Sequence, residues 1–176
     1  MMATWFCFFA GLLPVLILHL GNRYQNPSTV WVVSGERSTP VIVSRNPVGI
    51  GEIKASDLQA LLDDVRKLSR PGDGLFVGPS DLRFANYNDT FIYYLLPHLR
   101  PVSRYLEMNP GCSNRADSGL TEEISTANWL ILTTRYDRWE EPNASVIPGS
   151  SEPNEFIRTH FCMRSKQGVW QLLQRC

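Results

Sequence analysis

Residues 74–97 read "GLFVGPSDLRFANYNDTFIYYLLP", and the change of character along this stretch decides the fold. It opens on a continuous apolar run, Leu75, Phe76 and Val77, of the kind found in a strand covered on both faces. A polar burst follows, with Asp81, Arg83, Asn86, Asn88 and Asp89 close together. Then Phe91, Ile92, Leu95 and Leu96 give one apolar side at helical spacing, and Pro97 stands where that helix should stop. Strand, polar loop and helix in this order make the first half of a crossover unit. The burst itself admits two readings. It is either a ligand-holding edge or the capping of the next helix through Asn88 or Asp89.

The flanking sequence repeats the alternation. Upstream, "SDLQALLDDVRKLSR" (56–70) predicts the clearest helix of the chain. Ser56 is a natural N-cap, Leu58, Leu61, Leu62, Val65 and Leu68 form an apolar stripe, and Pro71-Gly72 stops it. Asp63 and Asp64 fall on its polar, solvated face. Downstream, "SRYLEM" (103–108) predicts a second strand, "SGLTEEIS" (118–125) a brief helix and "NWLILTT" (128–134) a third strand. A helix opened by Pro153 follows, and "FCMRSKQGVWQLLQRC" (161–176) predicts a hairpin turning at Lys166, Gln167 and Gly168. Further upstream, "VWVV" (30–33) and "PVIV" (40–43) are β-branched runs that suit a hairpin or two short strands, and "NPVGIGE" is a loop. Strand, helix, strand, helix, strand is the pattern of parallel strands joined by crossovers. The expected fold is therefore α/β, with a small, mainly parallel sheet, crossover helices and a C-terminal antiparallel hairpin. A two-layer α+β arrangement competes with it.

With 176 residues the chain has room for one domain and an appendage. Lysine plus arginine equals aspartate plus glutamate at 17 each, so no charge excess argues for a nucleic-acid partner. The appendage is at the start. From Ala3 to Leu20, "ATWFCFFAGLLPVLILHL" carries no formal charge apart from His19. As a helix it would be roughly 27 Å long, close to a bilayer core. It lacks the basic n-region and small-residue cleavage site of a secretory signal, and it has no polar stripe. A membrane helix fits best, with Trp5 at one interface and Arg23-Tyr24 at the other. This gives three regions: a transmembrane or signal-anchor helix over 1–22, a linker with short strands over 23–54, and an α/β domain over 55–176.

In a parallel sheet the carboxyl ends of the strands share one edge, and ligands favour the crevice there. That edge collects Asp81, Arg83 and Asn86 from the first strand, Glu107 and Asn109 from the second, and Arg135, Asp137 and Trp139 from the third. Carboxylates and amides suit sugar hydroxyls, arginine suits phosphate, and tryptophan offers a stacking face. The same residues are also ordinary turn and cap chemistry. No Walker loop, G-x-G-x-x-G or G-x-S-x-G occurs, and no Cys/His spacing suggests a metal, so no cofactor is expected. His19, His98 and His160 read as structural. Asn88-Asp-Thr and Asn143-Ala-Ser match the N-glycosylation pattern. Of four cysteines, Cys7 lies in the apolar segment. Cys162 and Cys176 flank the terminal hairpin and are the favoured disulfide in an oxidising compartment, with Cys112 left over, while three free thiols is the other reading.

Several stretches together resemble a known family. "RPGDGLFVGPSDLRFANYNDTFIYYLLPHLRP", "YLEMNPGCSNR", "ANWLILTTRYDRWEEPNAS", "PNEFIRTHFCM" and the final "RC" are similar to the C-terminal region of bacterial polytopic membrane proteins related to dolichyl-phosphate-mannose-type (GT-C class) glycosyltransferases. The likeness runs in order over residues 55–176. It implies that 3–20 corresponds to the last membrane helix and that the domain lies outside the cytoplasm on a single-pass anchor in the cell membrane. The early loop that carries such a transferase's catalytic carboxylate has no counterpart here, so no catalytic residue carries over. The expectation is a non-catalytic, membrane-anchored domain accessory to cell-envelope glycan assembly, with a multi-span membrane protein or a lipid-linked sugar as partner. The alternative is part of a split glycosyltransferase that is active only with a separate membrane section.

Overall fold

The structure is a computed structural model and describes residues 29–34, 37–42, 50–51, 54–85, 87–137 and 147–176. The expected apolar span 3–20 lies outside these residues, and among the described ones no helix is long and apolar enough to cross a membrane. The chain divides into two units, Met1–Glu52 and Ile53–Cys176. In the first, β1 (Thr29–Ser34) and β2 (Arg37–Ile42) pair antiparallel as the hairpin expected from their β-branched runs. A two-residue β3 (Ile50–Gly51), within the expected loop, pairs parallel to β1.

The second unit begins with α1 (Ala55–Leu68). Leu58, Leu61, Leu62 and Val65 are its fully buried stripe, as their spacing requires. Its N-cap is Lys54, without a side-chain cap bond, so Ser56 sits inside the first turn rather than capping it. There follow β4 (Gly74–Pro79), α2 (Phe91–Leu95), β5 (Arg100–Pro101), α3 (Leu120–Ile124), β6 (Trp129–Thr133), α4 (Glu152–His160), β7 (Phe161–Gln167) and β8 (Trp170–Arg175). These form a five-stranded sheet in the order β5-β4-β6-β8-β7. β4 runs parallel to β5 and β6, whereas β8 runs antiparallel to β6 and β7.

Two expectations are corrected. The sheet is mixed rather than mainly parallel, with two parallel and two antiparallel pairings, and the strand expected at 103–108 does not form. The second parallel strand is only Arg100–Pro101. Val102 N still donates to Leu75 O at 3.1 Å, but the next β4 groups are taken by side chains, Val77 N by the Tyr93 hydroxyl at 2.8 Å and Val77 O by Asn88 Nδ2 at 2.7 Å. Beyond Val102 the Ser103 hydroxyl both accepts from Tyr105 N at 3.0 Å and donates to Glu123 at 2.7 Å, which turns the backbone away from the sheet. Met108, the buried end of the expected strand, has φ 56°, a left-handed conformation that no strand contains.

Alternation along the inner strands feeds two cores. Phe76, Leu130, Leu132 and Leu173 pack with Leu120 and Ile124 of α3 and Ile157 of α4 on one face. Leu75, Val77, Trp129, Ile131, Trp170 and Leu172 point the other way, all of them buried, towards α1 and α2, which contact β4, β7 and β8. Helices therefore cover both faces. The crossover from β4 to β5 uses one face and that from β5 to β6 the other, as two crossovers of one hand running in opposite directions must.

The terminal hairpin forms as expected, and Cys162 is bonded to Cys176 across it. Its turn needs Gly168, which has φ +58° and whose place a Cβ could not share with the Asp57 carboxylate of α1. Asp64, expected to be solvated, instead accepts from Gln167 of β7 at 3.0 Å. The disulfide closes a loop with a sequence separation of 14. Cys162→Ala/Cys176→Ala should therefore lose about 3 kcal/mol in urea unfolding against the oxidised protein, with the native circular dichroism retained before the transition.

Candidate functional site

β4 and β6 are neighbours whose chains leave to opposite faces, β4 into α2 and β6 towards α4. The crevice beyond their carboxyl ends is thus the switch point where an α/β sheet commonly holds a ligand. The residues gathered there hold one another. Ser80 N donates to Thr133 O at 2.7 Å, and the Ser80 hydroxyl donates to both Asp137 oxygens at 3.0 and 3.2 Å, drawing the two loops together. Asp81 accepts from Arg83 Nη2 at 2.7 Å and Nε at 3.0 Å, and from Asn154 Nδ2 of α4 at 2.6 Å. Asn154 Oδ1 in turn accepts from Leu82 N. The Arg83 carbonyl receives Gly149 N and Asn114 Nδ2, so the loop is pinned from both sides.

The centre of the edge is Asp89, a carboxylate with no exposed surface. Its Oδ1 accepts from Arg135 Nη1 and from the Tyr136 hydroxyl, both at 3.0 Å, and its Oδ2 accepts from Trp170 Nε1 at 2.8 Å. Strand register puts Trp170 beside Thr133, the last residue of β6. The helix that follows is capped instead by Thr90, without a side-chain bond. Burial, then the adjacent Asp89 charge, push the Tyr136 phenol well above its ordinary pKa, which keeps it a donor. Burial does the same to Tyr93, whose hydroxyl is near Val77 N at 2.8 Å. Asn88 is a brace, because its Nδ2 donates to Val77 O at 2.7 Å and Leu106 O at 2.8 Å. That nitrogen is the atom N-glycosylation would modify, so the Asn88-Asp-Thr match is structural.

The expected site residues divide as follows. Asp81, Arg83 and Asp137 lie together at the switch point. Arg135 lies at the same edge but is turned inward to Asp89. Glu107 is exposed on a bend, and Asn109 opens a turn by accepting Cys112 N and Ser113 N at its carbonyl, so neither side chain joins the cluster. Asn86, Trp139 and the Asn143 match lie outside the described residues. Asp89, Asn154, Tyr136 and Trp170 were not among the expected residues. The sequence signal for them is partial: buried indoles and phenols need acceptors, but nothing local singles out Asp89, which lies 47 residues from Tyr136 and 81 from Trp170.

Chemically the edge is poorly suited to proton transfer. Arg83, opposed by partial burial and helped by Asn154, holds Asp81 below the usual carboxylate range, which makes it a weak base at neutral pH. Asp89 is enclosed. Among the described residues no group of His, Cys, Asp and Glu side chains is placed to hold a metal ion. His98 shares a 3.1 Å hydrogen bond with Ser69 at the other end of the sheet, and His160 Nδ1 lies 2.9 Å from the Phe156 carbonyl in α4.

No protein-family model, no curated protein and no solved structure matches the chain.

Two stability measurements test this reading of the edge. Asp89→Ala leaves Arg135, Tyr136 and Trp170 facing an empty place and should lose about 3–5 kcal/mol in urea unfolding. For Asp81 the folded pKa is depressed, so the unfolded chain takes up a proton first as pH falls. Its contribution is full above about pH 4 and is lost as pH drops through the lower folded value. Asp81→Asn should therefore lower stability at pH 7 and flatten its decline below about pH 4.

Proposed function

We propose that the chain is a membrane-tethered module that does no chemistry of its own and serves cell-envelope glycan assembly beside a multi-span membrane partner or its lipid-linked sugar. The observation that carries this reading is the state of the switch-point edge. Asp81 is bonded to Arg83 and Asn154, Asp137 to Ser80, and Asp89 to Arg135, Tyr136 and Trp170. Carboxylates held in this way brace loops rather than wait for a substrate. Two further features support it. The uncharged Ala3–Leu20 stretch has the length of a membrane span. The Cys162–Cys176 disulfide suits a domain facing an oxidising compartment.

Carbonate extraction and protease accessibility on intact cells test the tether and its direction, with retention in the membrane and cleavage from outside expected. The purified full-length chain, supplied with polyprenyl-phosphate sugars, should show no transfer or hydrolysis. Turnover by the chain alone would overturn the reading. Turnover that appears only after adding a separate multi-span protein would replace it with the split-transferase reading.

A further inference from the structure

The geometry points to a second membrane contact on this module: Lys67, Arg70 and Arg100, set around Leu68 at the amino rim of the sheet, dock on an anionic phospholipid surface. This rests on the tether reading above, since the tether is what brings so small a patch to a bilayer. The end of α1 and the start of β5 are joined here. Gly72 N donates to His98 O at 2.8 Å and Arg100 N to Asp73 O at 2.9 Å, which brings residues 67–73 and 97–101 side by side. Lys67, Arg70, Pro71, Pro97, Arg100 and Pro101 are all exposed, and Leu68 is 46% exposed.

The rim carries three cations, of which Lys67 also interacts with the Asp64 carboxylate one turn earlier on α1. Asp73 is the sole carboxylate in the two segments, and it faces inward, accepting Trp129 Nε1 at 3.0 Å and Arg70 N at 2.9 Å. Most other guanidiniums are committed within the fold, as in the pairs Arg66–Asp63, Arg83–Asp81, Arg104–Glu123, Arg115–Asp117 and Arg135–Asp89, whereas Arg158 of α4 is exposed without such a bond among the described residues. Among the described residues Arg70 and Arg100 make no ion pair and no side-chain hydrogen bond. Cations around an exposed leucine match a lipid interface, where phosphates meet the charges and the apolar side chain enters the headgroup layer. A chain with a formal net charge of zero has no long-range pull towards a free polyanion. On a tether the local lipid concentration is already high, so a few weak charge contacts suffice to orient the domain.

The chain's three lysines allow a direct test, because Lys54 and Lys166 are exposed and lie outside the patch. The full-length chain is reconstituted in nanodiscs of phosphatidylcholine, with or without about a third phosphatidylglycerol, and treated with a water-soluble acylating reagent. The rate at Lys67, relative to Lys54 and Lys166, should fall several-fold with the anionic lipid, roughly the effect of a few surface charges. It should recover in 0.5 M salt, where the Debye length is only about 4 Å. Arg70→Glu/Arg100→Glu should abolish the difference while the circular dichroism is unchanged. Equal Lys67 ratios in the two bilayers would overturn the proposal, as would protection by DNA or an acidic protein in place of the bilayer. Release of the chain by carbonate from zwitterionic membranes would defeat the tether reading separately, leaving the Lys67 ratio on anionic bilayers to judge the patch.

Discussion

A carboxylate without exposed surface survives in a fold only where donors replace the water it has lost. Asp89 is the group on which the carboxyl edge of this sheet depends. Its donors come from Arg135 and Tyr136 just past β6 and from Trp170 at the head of β8, at sequence separations of 46, 47 and 81. One side chain therefore fixes the approach to α2, the turn after β6 and the turn end of the terminal hairpin relative to one another. An apolar residue there would take from a guanidinium, a phenol and an indole N–H the carboxylate that they share. Those groups would pull water or solvent-facing rotamers into the core.

Around that group the remaining polar residues act as ties between loops. Ser80 with Asp137 extends the β4–β6 pairing into the loops beyond it, and Asp81 with Asn154 joins parts of the chain that no strand pairing connects. Topology assigns this position to ligands in many α/β proteins, but the same position is also where the most loops meet. Polar side chains are needed there whether or not anything binds. The density of such residues in the sequence therefore reflects the number of loops to be held as much as any chemistry. Their mutual hydrogen bonds favour the holding role.

What was legible in the sequence followed periodicity and length. The stripe from Leu58 to Val65, the runs at 75–77 and 129–132 and the terminal hairpin with its cysteines could be placed because each buries a regular face. The stretch 103–108 misled because its apolar residues at Tyr105, Leu106 and Met108 resemble a strand. The local Tyr105–Ser103 bond, the distant Ser103–Glu123 bond and the Tyr93 and Asn88 side chains that occupy Val77 N and O decide otherwise. The site was legible as a location and not as an arrangement. Asp81, Arg83 and Asp137 meet where strand ends predict. Asp89 looked like a cap because its position before Thr90 is the local signal, whereas the donors that claim it lie tens of residues away. No local pattern encodes a partner 81 residues distant.

The strand order has a consequence for the chain as it is made. β8, made after the other four strands of its sheet, occupies an inner place between β6 and β7. Until it arrives, the "WLILT" edge of β6 has its backbone unpaired on one side, in the most apolar segment of the sheet. A nascent chain paused there would present a sticky template to its neighbours. Pairing of β8 with β6 on one side and β7 on the other covers that edge, so quick zippering of this hairpin guards the fold against clumping.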